Sequence, residues 1–249
     1  LWKGLVVGNV QSGKTATYTG LIGKAIDVGY RIIIIMSGRM NSLRYQTESR
    51  ISNQIVGVSN DERSISVDDS IIPLTTLHID GDFGAEESPL PSASLMSRVM
   101  TNSDSCLIGV IKKHPAPIMR FTDWSDEIIE QYPGFRDWPI LIIDDEMDEA
   151  GTNIGGEDTG EEIEVNLESP GGDSYEDPSE EDEMANPPSS TNQAITNLLR
   201  EDRFSKRMYL GFTATPYAII MHRRREPESE AFVTYGPDIF PDNYLMVLD

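Results

Sequence analysis

A single cysteine, Cys106, stands in the 249-residue chain, so no internal disulfide can form and a reducing cytoplasm is the expected setting. No apolar run approaches the ~20 residues that span a bilayer, which excludes a helical membrane protein on the sequence given. Aromatic residues amount to 8% and hydrophobic residues to 38%. That is enough for one α/β core of this length, but it implies that part of the chain is not core. Nor is there a lysine or arginine between Arg136 and Arg200. Residues 149–183, inside that gap, carry 14 of the 42 acidic residues. Well over half of the formal net charge of −22 is therefore local, and the rest of the surface is not barred from meeting a nucleic acid.

The acidic tract is rich in glycine, serine and proline. Its few apolar groups cannot offset the entropy lost on ordering, so a disordered surface insertion is predicted at about residues 150–189. Its carboxylates lack the spacing of a calcium loop. A basic partner is one binding use such a tract could have. The chain opens on leucine and is expected to be a piece of a longer protein.

What the sequence does contain begins with "GNVQSGKT" at residues 8–15. Gly8, Gly13, Lys14 and Thr15 fill the template G-x-x-x-x-G-K-[ST], with Asn9, Val10, Gln11 and Ser12 between. In such a loop backbone N–H groups wrap phosphates, the lysine reaches the β and γ phosphates and the hydroxyl holds Mg²⁺. The setting agrees, because an apolar run at residues 5–7 precedes the loop and a helical pattern ending at Gly29 follows it. ATP and Mg²⁺ are the ligands this arrangement predicts, seated at a helix N-terminus.

Further strands are expected at residues 31–37 ("RIIIIMS"), 105–111 ("SCLIGVI"), within "WPILIIDDE" and within "RMYLGFTATP", with a short one at residues 74–79. Helices are expected after an Asn41 N-cap, near residues 92–100, from Pro115 onward, and after a capping box of Ser190 and Gln193. Strands alternating with helices predict an α/β fold in three layers, a mostly parallel sheet with helices on both faces. Ligands of such sheets bind at the carboxyl edge. Four polar stretches follow strands and so gather there: "GNVQSGKT", "SGRMN", "DDEMDEA" and "TATP". At the tip of an apolar strand, one carboxylate of "DDEMD" can hold Mg²⁺ and its neighbour can deprotonate an attacking water. Spacing alone leaves open whether the metal acid is Asp144 or Asp145.

"GNVQSGKT", "DDEMD" and "TATP", in that order, resemble motifs I, II and III of the superfamily 2 helicases and translocases, whose motor lobes are RecA-like P-loop NTPases. "VVGNVQSGKT", "LIIDDEMDEA" and "LGFTATPYA" are more narrowly similar to the endonuclease Z1 domain family of bacterial DNA modification and phage defence. The resemblance implies that Lys14 grips phosphate, Thr15 and Asp145 hold Mg²⁺, and Glu146 activates water. It further implies that Asp148 couples to Thr213 and Thr215, and that Arg39, Asn41, Arg44, Lys112 and Lys113 contact a nucleic-acid backbone, with DNA the expected partner. The whole chain, residues 1–249, then reads as a first helicase-type lobe. Nothing after Pro216 resembles the second-lobe motif "QxxGRxxR", so a second lobe is an expected partner. No glutamine motif and no nuclease cluster is visible. Two other readings use the same residues: a P-loop ATPase indifferent to nucleic acid, and a non-catalytic scaffold or interaction module.

Overall fold

Runs of β-branched and other apolar residues set the sheet. The computed structural model describes residues 1–9, 13–57, 70–148, 189–216, 219, 234 and 238–248. Its strands are β1 (Trp2–Gly8), β2 (Ile32–Ser37), β3 (Ile71–Pro73), β4 (Cys106–Lys112), β5 (Ile140–Asp145), β6 (Arg207–Thr213) and β7 (Tyr244–Leu248). They form one seven-stranded sheet of order β3-β4-β2-β5-β6-β1-β7, in which each neighbouring pair is parallel. The helices are α1 (Lys14–Asp27), α2 (Asn41–Ile51), α3 (Ala93–Thr101), α4 (Pro115–Gln131) and α5 (Ser190–Leu198). A π-helical turn, Ser52–Val56, prolongs α2.

Alternation along the strands divides the core in two. Ile33 and Ile35 of β2, Ile108 and Val110 of β4, and Leu141 and Ile143 of β5 face one side, where they meet Tyr18 and Ile22 of α1 and Ile51 of α2. Ile32, Ile34, Leu107, Ile140 and Ile142 face the other, against Met96 of α3, Phe121 and Trp124 of α4, and Ile195 of α5. The protein is thus an α/β fold in three layers, with helices on both faces of a parallel sheet, the architecture expected of a RecA-like lobe. Strands buried on both faces need no polar alternation, which is why β2 and β4 read as continuous apolar runs.

Helix ends follow local chemistry. Gly29 takes φ 92 beyond the end of α1. Its N–H donates to Ile26 O at 3.0 Å and the Tyr30 N–H to Ala25 O at 2.9 Å. Both bonds belong to the Schellman ending, which a left-handed glycine makes strain-free. Pro115 opens α4, as expected, with the His114 ring accepting from the Ala116 N–H. Two expected caps are displaced by one residue. Met40, not Asn41, is the N-cap of α2, and the Asn41 amide donates instead to Asp80 at 2.8 Å. Ser189 caps α5 by accepting from the Asn192 N–H, so Ser190 is the first helical residue.

Two strands differ from expectation. The short strand is Ile71–Pro73 and stops before residues 74–79: the Leu74 N–H still donates to Ile108 O of β4, but at Thr75 the side chain takes over from the backbone, its hydroxyl accepting from the Val110 N–H and donating to Glu48. β7 adds to the outer side of β1 with its side chains largely exposed. Among the described residues, no helix is long and apolar enough to cross a membrane. The acidic insertion and loop residues Val10, Gln11 and Ser12 lie outside the described residues.

Candidate active site at the carboxyl edge

Every strand of a parallel sheet delivers its C-terminal end to the same edge, and the strand order decides which loops meet. β6 lies between β1 and β5. The loop after β6 is therefore wedged between the Lys14 loop and the acidic turn. These segments enclose a cavity of about 380 Å³. Lys14 and Thr15 line it from the start of α1, Asp145, Glu146 and Asp148 from the end of β5, and Ala214 and Thr215 from the end of β6. Ser37 at the end of β2 and Gly38 just after it, together with Leu43, Gln46, Thr47 and Arg50 on α2, complete the wall.

The start of α1 is built for an anion. Gly13 precedes it with φ 82 and no side-chain cap, and no acidic residue stands in the first turn. The first N–H groups of a helix lack intrahelical acceptors, and the dipole makes that end positive. Lys14 Nζ donates to Gly8 O at 2.9 Å and Asn9 O at 3.3 Å, so the ammonium is held over its own loop. The Thr17 N–H and hydroxyl both return to Gly13 O, at 2.9 and 3.2 Å. The Thr15 hydroxyl lies 3.5 Å from Arg50 Nη1.

The acidic turn separates its two aspartates by face. Successive strand residues point to opposite sides. Asp144 is fully buried, paired with the equally buried Lys113 and accepting from the Tyr209 hydroxyl. Burial pushes its carboxyl up from the usual carboxylate range, and the Lys113 charge opposes this. Asp145 instead reaches the cavity and accepts from the Tyr18 hydroxyl at 3.2 Å. Burial raises its carboxyl as well, against the bond from Tyr18. Tyr18 itself is pushed well above the ordinary phenol range, first by burial and then by the charge of Asp145.

Glu146 is the one non-glycine residue with positive φ among those described, at 59. A glutamate there costs backbone energy, of order 1–2 kcal/mol, and turns its side chain toward the cavity beside Gly38. Three contacts hold the turn. Lys113 Nζ donates to Asp145 O at 2.8 Å and also to Glu146 O. The Met147 N–H donates to Phe212 O at 2.9 Å. Met147 packs so closely on Gly211 that a Cβ there would lie 2.1 Å from its sulfur. Asp148 then accepts from the hydroxyls of Thr213, at 2.5 Å, and Thr215, and Thr213 Oγ1 accepts from the Thr215 N–H at 2.9 Å.

The structure thus gathers Gly13, Lys14, Thr15, Asp145, Glu146, Asp148, Thr213 and Thr215 along one rim, with Gly8 and Asn9 joined to it through Lys14. The predicted nucleic-acid contacts divide. Arg39 is exposed and Lys112 half-buried, with Lys112 3.9 Å from Asp82. Arg44 and Lys113 must be reassigned, because both are fully buried. Arg44 pairs with Glu48 at 3.3 Å and also donates to backbone carbonyls; Lys113 anchors the acidic turn. Neither guanidinium nor ammonium faces solvent where a phosphate backbone could approach.

Sequence reading missed Gln46, Thr47 and Arg50 as cavity residues, and Tyr18 as the buried donor to Asp145. Helical spacing puts Gln46 and Arg50 on one face, but only the packing of α2 beside α1 brings that face to the cavity. Among the described residues, no cluster of three His, Cys, Asp or Glu side chains could hold a metal. One hydroxyl and one carboxylate, Thr15 and Asp145, are nevertheless what a Mg²⁺ that keeps waters and substrate phosphate as its other ligands requires. The residues present fit Mg²⁺ with a polyphosphate.

No known protein family and no curated protein matches the sequence. Among solved structures, the chain is similar to a nuclease-deletion mutant of the Type ISP restriction-modification enzyme LlaGI, solved with a DNA substrate mimic, at 13% identity and a TM-score of 0.45. The match covers 100% of this chain and 18% of that one. At that distance it carries no functional argument, and the narrower likeness to the Z1 family rests on the three motifs alone.

Proposed function

We propose that this chain is the ATP-binding and ATP-hydrolysing lobe of a helicase- or translocase-like protein acting on DNA, in bacterial restriction or phage defence. One observation carries the reading: Lys14 and Thr15 from one end of the chain line the same cavity as Asp145 and Glu146, more than 120 positions away. A Walker-type lysine brought to a strand-end acid pair is the minimum for phosphoryl transfer to water.

Each residue then has a task. The first-turn N–H groups of α1 bind phosphate oxygens, and Lys14 exchanges the Gly8 and Asn9 carbonyls for the β and γ phosphates. Thr15 and Asp145 would hold Mg²⁺, which would neutralise charge on the phosphates. Glu146 accepts a proton from the attacking water, held toward the cavity by its backbone conformation. Asp148 links that turn to Thr213 and Thr215, so a shift of the acidic turn moves the β6 loop with it. The DNA assignment rests on the order of the three motifs, with Arg39 and Lys112 the remaining basic contacts. A second lobe supplying an arginine finger would raise turnover by about 10³ to 10⁵.

The test is nucleotide binding and turnover by the protein with and without DNA. Lys14→Ala abolishes ATP binding, and Glu146→Gln keeps binding but loses hydrolysis. DNA raises the wild-type rate. Turnover unchanged in Glu146→Gln refutes the assigned base, turnover indifferent to DNA points to an uncoupled ATPase, and failure to bind any nucleotide points to a scaffold.

A further inference from the structure

We infer that Arg50 on α2 is a second phosphate-binding cation of the nucleotide site, supplied by the same lobe and directed at the terminal phosphate. The inference rests on the reading of this cavity as an ATP site. Its Nη1 lies 3.5 Å from the Thr15 hydroxyl, and its side chain is exposed within the cavity wall. In a loop of this type that hydroxyl would be a Mg²⁺ ligand, on the side of the site that takes the terminal phosphates. A guanidinium beside it would be within reach of the terminal phosphate of a bound triphosphate. Lys14 lines the same cavity, its ammonium over the Gly8 and Asn9 carbonyls. Two cations lining one cavity can neutralise more of the charge that spreads over the transferred group than either alone.

The placement of Arg50 is fixed by an unusual feature of α2. The helix is held on its buried side largely by polar groups rather than an apolar stripe: Arg44, Thr47 and Glu48 are buried along with Ile51. Arg44 pairs with Glu48 at 3.3 Å, and Glu48 accepts from the Thr75 hydroxyl at 2.6 Å. Directional bonds set the rotation of a helix more strictly than apolar contact does. With that side pinned, Gln46 and Arg50, one turn apart, present their adjacent face to the cavity. Because a guanidinium is a planar fork, it suits two oxygens of one phosphate as a lysine would not.

The experiment measures binding of Mg-ATP and Mg-ADP to the full chain, and ATP turnover, in wild type, Arg50→Ala, Arg50→Lys and Lys14→Ala. Arg50→Ala is expected to weaken ATP about tenfold or more while changing ADP less than about twofold, and to slow turnover by about a hundredfold. Arg50→Lys should recover part of the affinity but little of the rate. The thermal midpoint without nucleotide should not move, since the side chain is exposed. Equal effects of Arg50→Ala on ATP and ADP, or none on either, while Lys14→Ala still abolishes binding, overturn the inference and leave the ATP site standing. Unaltered binding in Lys14→Ala overturns both.

Discussion

Replacing Lys113 with methionine tests the internal support of the acidic turn. Lys113 and Asp144 are both fully buried and paired, and the same ammonium donates to Asp145 O and Glu146 O. Methionine keeps most of the volume and removes the charge. Asp144 is then left ionised or forced to take up a proton in a site with no solvent. Breaking a buried pair from one side costs about 3–5 kcal/mol, whereas neutralising both partners costs far less. For a chain of this length that corresponds to a thermal midpoint lower by roughly 6–20 °C. The double variant Lys113→Met with Asp144→Asn keeps an acceptor for the Tyr209 hydroxyl and leaves no uncompensated charge. It should recover at least about 2 kcal/mol of the loss, a coupling expected only of groups in direct contact. Urea unfolding followed by circular dichroism, with equal slopes for all variants, measures each term. A single-variant loss under about 1 kcal/mol, or a double variant as unstable as the sum of the two singles, would refute the buried pair. If the pair supports catalysis through the turn, the double variant should still bind ATP while hydrolysing it more slowly, because Asp145 O and Glu146 O have lost their donor.

Three further outcomes follow from other contacts. Glu146→Gly should stabilise the fold by about 1 kcal/mol by relieving the left-handed backbone, yet abolish turnover, a combination read by urea unfolding beside an ATPase assay. Gly211→Ala should cost about 1–3 kcal/mol because its new methyl group collides with Met147, and the same substitution should cost less in a Met147→Ala background, where the colliding side chain is gone. Cys106 is buried, and burial pushes its thiol up to about 12; alkylation at pH 8 should therefore proceed only as fast as the chain unfolds, and prompt labelling of native protein would contradict the placement of β4.

Much of the fold was legible because its signals are local. β2, β4 and β5 announce themselves as apolar runs since both faces are covered, and Gly29 ends α1 through two bonds within five residues. β7 was missed, as a five-residue run whose apolar side chains are mostly exposed gives no burial signal. Asn41 and Ser190 were misjudged as caps because a neighbour one position earlier has the required extended backbone. Arg44 and Lys113 looked like surface cations, and no local feature distinguishes a basic residue bound for solvent from one that meets a buried carboxylate.

Local sequence carries the chemistry on offer: a lysine loop at a helix start, acids at the tip of an apolar strand, and a threonine pair at the end of the last strong strand. These depend on spacing within a few residues, which the chain carries wherever it folds. Three-dimensional packing settles which aspartate faces the cavity, brings Arg50 beside Thr15, and puts Lys113 behind the site. Those outcomes depend on strand order and on which face of each element is buried, and both arise from contacts between segments far apart in the chain.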